Sequence, residues 1–208
     1  MKPTVNISPD QLKKGRQAYA SHEGRDSIYR VATFLIQDQW WGQHLKMADG
    51  ITVLLLTWNA PFYRFGKFDH GPLEHCLAQN WTLIEGFRTR DINSFGTSDH
   101  KSIRILFADF LYALKISEGK NRGRRSPVAV AKTLHLLAPG FFPLWDEWIA
   151  CEYNCSYEKD AAEAYIRFCG CVRNVALDLA HRISIPQQEL LKAIDEFNYA
   201  RYSKGWIK

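Results

Sequence analysis

The chain has 208 residues, 46% of them apolar and 24% charged, an ordinary globular balance that excludes disorder, collagen and coiled coil. Twenty-seven Lys and Arg against 22 Asp and Glu leave a formal charge of +5 and a pI near 8.9, which admits an anionic partner without demanding one. Aromatic residues make up 13% of the chain, enough for a tightly packed helical core and, beside basic residues, a hint of nucleic acid.

The N-terminal residues hold no apolar stretch of signal-peptide length, and the run from Ile51 to Leu56 is too short to cross a bilayer. The expectation is a soluble cytoplasmic protein with no membrane partner. Ser8-Pro9-Asp10 puts an N-cap before a proline at the first helical position and opens a helix to about Ser21. From Asp26 to Trp41, Ile28, Val31, Phe34 and Leu35 recur at helical period. Leu45 to Trp58 is apolar nearly all round past Gly50, which predicts a central, buried helix.

A turn-rich aromatic loop follows from Asn59, then a short helix over Pro72–Asn80 and a further turn over Trp81–Phe87. Thr97-Ser98-Asp99 caps a long helix to about Ile116, with Ile103, Ile105, Leu106, Phe110, Leu111 and Leu114 inward. Ser117–Arg125 is a charged surface loop. Ser126-Pro127 repeats the cap-plus-proline start of a helix to about Ala138, which Pro139-Gly140 and Pro143 break. Asp146 heads the next helix, to about Tyr153. Long segments over Glu158–Ile183 and Pro186–Tyr202 complete the chain. No stretch alternates with period two, so the fold class is all-α. The expected architecture is a bundle of nine or ten helices in one domain over 1–208, with a variant of two lobes (about 1–116 and 117–208) flanking a cleft.

The densest stretch is Ser126–Tyr153, SPVAVAKTLHLLAPGFFPLWDEWIACEY. A loop carrying Lys120, Arg122, Arg124 and Arg125 leads into a capped helix with Lys132-Thr133 on its second turn, and a proline-rich turn delivers Asp146 to a helix start. This order resembles the helix-hairpin-helix base-excision DNA glycosylases, the HhH-GPD superfamily. The resemblance implies an all-α, DNA-glycosylase-like fold and a hydrolase that cleaves the N-glycosidic bond of a damaged base in double-stranded DNA, with lyase activity where a lysine forms a Schiff base. It makes Lys132 the nucleophile and Asp146 the essential carboxylate, with Pro143–Asp146 standing for the family's Pro-Val-Asp element. The family's hairpin carries Gly-x-Gly, which Ser126–Val130 lacks. The 14 positions from Lys132 to Asp146 fall short of the family's separation by about one helical turn.

Lys120, Arg122, Arg124, Arg125 and Ser126 would hold phosphates, where backbone donors, helix dipole and guanidinium groups point at one anion. Trp58, Phe62, Tyr63, Trp145, Trp148 and His135 are candidates for the walls of a base pocket. No metal or cofactor is expected, because Cys151-x3-Cys155 and Cys169-x-Cys171 match neither zinc nor iron–sulfur spacing. Two alternatives use the same residues differently. In a non-catalytic α-helical nucleic-acid- or protein-binding domain, Asp146 is only a cap and Lys132 a surface charge. In an enzyme acting on a small molecule, the aromatic residues form the pocket.

Overall fold

The computed structural model describes residues 5–23, 26–67, 69–157 and 159–208. Among them eleven α-helices follow in order. These are α1 (Pro9–His22), α2 (Asp26–Phe34), α3 (His44–Trp58), α4 (Ala60–Tyr63), α5 (His70–Gln79), α6 (Trp81–Arg88), α7 (His100–Ala113), α8 (Pro127–Leu137), α9 (Glu147–Glu152), α10 (Ala161–Ala180) and α11 (Gln187–Asn198). The fold is all-α. α4, a single turn, lies in the stretch expected to be loop. A two-residue antiparallel pair, β1 (Gly66–Lys67) with β2 (Glu118–Gly119), is a second addition.

Local chemistry starts the helices where cap residues stand. Ser8 Oγ accepts from Gln11 N–H while Gln11 Oε1 accepts from Ser8 N–H, a reciprocal box that satisfies two donors at the head of α1. Ser126 and Asp146 cap α8 and α9 through the backbone N–H three residues on. The helical period expected over 26–41 is interrupted. After Phe34 the chain widens into a π turn over Leu35–Gln39, which sets Ile36 fully buried beside Gly50 of α3.

One apolar cluster extends from Ile7 to Phe197. α1 packs lengthwise on α11, bringing the two ends of the chain together. Their approach is close because Gly15 faces α11: a Cβ there would lie 2.6 Å from Phe197 Cα. Phe141, Phe142 and Trp145, with Tyr165 and Phe168 of α10, form a fully buried aromatic layer packed on Phe107 of α7.

Two burial expectations need correction. α3 is central but not buried all round, since Leu45, Val53 and Leu56 are each more than half exposed along one outer stripe. On α7 the inward face is Ile103, Leu106, Phe107 and Phe110 at i, i+3, i+4 and i+7, which turns Ile105 and Tyr112 outward. Cys76, Cys155 and Cys169 are buried and Cys151 is exposed. Among the described residues no helix is long and apolar enough to cross a membrane.

Candidate functional site

The site is assembled where the C-terminus of α3 meets the side of α8. The last carbonyls of a helix have no partner within it. The Lys132 amine fills one such vacancy, donating to the Trp58 carbonyl at 2.6 Å. A cation at the negative end of a helix is favourably placed. Asn59, one residue on, donates from Nδ2 to Ser126 Oγ, so the start of α8 is pinned to the same helix end.

Asp146 reaches this point from the turn after α8. Its Oδ1 accepts from Ile149 N–H at 2.8 Å, and its Oδ2 accepts from the Ser203 hydroxyl at 2.5 Å. Ser203 belongs to a final π turn over Tyr199–Ser203. The carboxylate is thus fixed on both oxygens, one by the helix it heads and one by the C-terminal segment.

Lys132 and Asp146 line one cavity of about 70 Å³. Trp58, Leu144, Trp145 and Ile149 give it apolar walls. Tyr19 and Glu23 of α1, Asp195 of α11 and Tyr199 give it polar ones. Tyr199 donates to Glu23 Oε2 at 3.3 Å, closing the rim between the two ends of the chain. Burial pushes the Asp195 carboxyl up to about 7, against the opposing pull of Lys192 and Lys132. Burial, with the Asp195 charge, also pushes the Tyr19 phenol up, so it stays a proton donor.

Of the residues singled out from sequence, Lys132, Asp146, Trp58 and Trp145 are brought together here. Phe62, Tyr63, Trp148 and His135 are not among the residues that line the cavity. Tyr63 is buried and donates to the Leu114 carbonyl at 3.0 Å, tying α4 to the end of α7. Phe62 packs edge-on against it. Trp148 is 64% exposed on the outer side of α9, not in a pocket wall. His135 is fully buried. Its Nδ1 donates to the Phe142 carbonyl and its Nε2 accepts from the Tyr29 hydroxyl, each at 2.8 Å, and burial lowers its pKa to about 4. It is a neutral pin between α2 and the turn after α8.

The basic loop is a hairpin. Ile116 N–H donates to Arg124 O and Gly123 N–H to Ile116 O, with Glu118–Gly119 laid against Gly66–Lys67. Gly119 has φ +88°, and a Cβ there would stand 2.8 Å from the Phe65 carbonyl oxygen, so only glycine fits. Lys120, Arg122, Arg124 and Arg125 are all exposed, and among the described residues none of them forms an ion pair. Arg122 and Arg125 join Lys115 around a surface cleft of about 280 Å³. Ser126, by contrast, is buried, with its Oγ taken up by Ala129 N–H and Asn59. Arg90 and Arg104 are paired with Asp99 and Glu163.

The sequence reading passed over Asp195, Tyr19, Glu23, Tyr199 and Ser203. For Asp195 a signal was present. In QQELLKAIDEFN the buried residues include Leu191, Ile194 and Asn198, and Asp195 falls on that face one turn past Leu191. A carboxylate on an apolar face is a candidate for function. Comparison of the chain with models of known protein families, with curated proteins and with solved structures finds no match.

Proposed function

We propose that the protein is a base-excision DNA glycosylase with lyase activity, in which Lys132 is the nucleophile and Asp146 the fixed anion. One observation carries this reading: an amine from α8 and a carboxylate from the head of α9 share a small, aromatic-walled cavity. That helix is entered through a hairpin bearing four exposed cations. The hairpin lies at the start of α8, six residues or about 9 Å of helix axis before Lys132. It can hold phosphates on either side of an extruded nucleotide.

In the reaction, the Lys132 nitrogen lone pair forms a bond to C1′ of the sugar. The C1′–base bond breaks, and its electron pair leaves with the base. Positive charge develops on the sugar in this step. The Asp146 carboxylate, fixed by its two hydrogen bonds, stabilises it. Opening of the sugar ring then gives the Schiff base from which strand scission proceeds.

A second reading has its own support. The cavity has room for a few water molecules rather than a whole base. That favours a non-catalytic helical domain that binds nucleic acid through the hairpin alone. Incubation with a duplex carrying an abasic site, in the presence of borohydride, separates the two. The glycosylase–lyase reading expects a covalent adduct that maps to Lys132 and disappears in Lys132→Ala. No adduct and no strand scission over a panel of lesions would sink the lyase reading.

A further inference from the structure

Asp146 and Asp195 both line the cavity, and they are not equivalent. Asp146 is held on both oxygens, by Ile149 N–H and the Ser203 hydroxyl. Asp195 is buried and lines the cavity from α11. The charges around it are mixed. Lys192 on its own helix and Lys132 on α8 favour its anion, while Asp146 and Glu196 oppose it. Glu23 of α1 stands on the same cavity. The phenols of Tyr19, Tyr29 and Tyr153, on α1, α2 and the end of α9, feel its charge and remain protonated. Lys192 is already shared between Asp26 at 3.4 Å and Glu196 at 3.2 Å, with its ammonium 4.1 Å from the Tyr19 ring centre. Lys132 is the one of these two cations that lines the same cavity as Asp195.

We propose that Asp195 is the proton acceptor for the Lys132 ammonium, while Asp146 stays fixed by its two hydrogen bonds. The assignment rests on Lys132 reacting as an amine, as proposed above. The step balances within the pair. The Asp195 carboxylate takes one proton from the ammonium, giving a neutral amine and a neutral acid. On an aldehyde, the amine lone pair forms the C–N bond as the carbonyl π pair moves to oxygen, and the proton held on Asp195 passes to that oxygen. The resulting carbinolamine loses water to give the Schiff base. An acid near neutrality is suited to both transfers.

This division of labour has a signature that needs no DNA. Reductive methylation with formaldehyde and cyanoborohydride, followed by peptide mass mapping, reads how much of Lys132 is neutral as a function of pH. Where the pair shares one proton, that fraction does not change with pH. The wild-type rate at Lys132 should rise with pH and then level off around neutrality. In Asp195→Asn the plateau should vanish, leaving a climb of about tenfold per pH unit up to the ionisation of the lysine itself. Asp195→Glu should restore the plateau, which a merely structural role of Asp195 would not do. A wild-type profile without a plateau, or one unchanged in a folded Asp195→Asn, overturns the assignment. The wild-type arm decides by itself if the variant does not fold. A plateau in a protein that forms no adduct with abasic DNA keeps the proton pair and removes the lyase reading. Adduct formation without a plateau removes Asp195 and keeps Lys132.

Discussion

Two buried titratable residues set the acid response of the fold, and they pull in opposite directions. His135 has its folded pKa lowered to about 4, below the ordinary 6.5. Its contribution to stability is complete above that ordinary value and is lost as pH falls toward 4, because the unfolded chain takes up a proton that the fold refuses. Complete loss corresponds to about 3 kcal/mol. Asp195 has its folded pKa raised to about 7 from 3.8. Its contribution is complete below the unfolded value and is lost as pH rises through 7. Between about pH 4 and about pH 6.5 the two proton balances cancel, so the melting temperature should be nearly flat there. Asp195→Asn should expose the His135 slope, with stability falling as the solution is acidified. His135→Gln should expose the reverse slope. Thermal melts of the three proteins at closely spaced pH values check the pattern, and parallel curves for all three would refute it.

At the scale of elements, the features legible in the sequence are those decided within one helical turn. Ser8, Ser126 and Asp146 cap helices because each cap bond joins residues three apart. Lys132 and Asp146 were readable for the same reason, as local landmarks on α8 and at the head of α9. The other half of the site was not, because its parts meet only through tertiary packing. Ser203 stands 57 positions from the Asp146 it holds, and Tyr199 stands 176 from Glu23. The π turns at Leu35–Gln39 and Tyr199–Ser203 likewise answer to packing rather than to a pattern of residues. Gly15 shows the same limit. It reads as a weak spot in a helix, yet it is what lets α1 lie against Phe197. Gly15→Ala should cost about 1–3 kcal/mol despite its better helix propensity, and a denaturant or thermal titration reads the loss directly. An unchanged or higher melting temperature would show that the two helices can separate at no cost.

For the whole molecule, the modest net charge of +5 matters less than where its cations stand. Several arginines elsewhere are tied to carboxylates, as Arg16 is to Glu196 and Arg182 to Asp178. The hairpin keeps Arg122, Arg124 and Arg125 exposed at the start of α8. Neutralising all three should weaken binding to duplex DNA and reduce the slope of log affinity against log salt by roughly 2.7, at about 0.9 per phosphate contact. Fluorescence anisotropy over a salt series measures that slope. An unchanged slope would place the DNA-binding face elsewhere, whether or not the protein is an enzyme.

The closure of α1 on α11 sets the order in which the site can come into being. Lys132 and Asp146 take their places early, within a helix and its following turn. Asp195, Tyr199 and Ser203 lie in the last fourteen residues, and the wall opposite is made by Tyr19 and Glu23. Local helices form in microseconds, whereas a contact spanning nearly the whole chain waits for its loop to close. The lysine is therefore made long before its proton acceptor is, and a chain cut short before Asp195 carries the amine without the means to neutralise it. Completion of the fold and arming of the amine are one event.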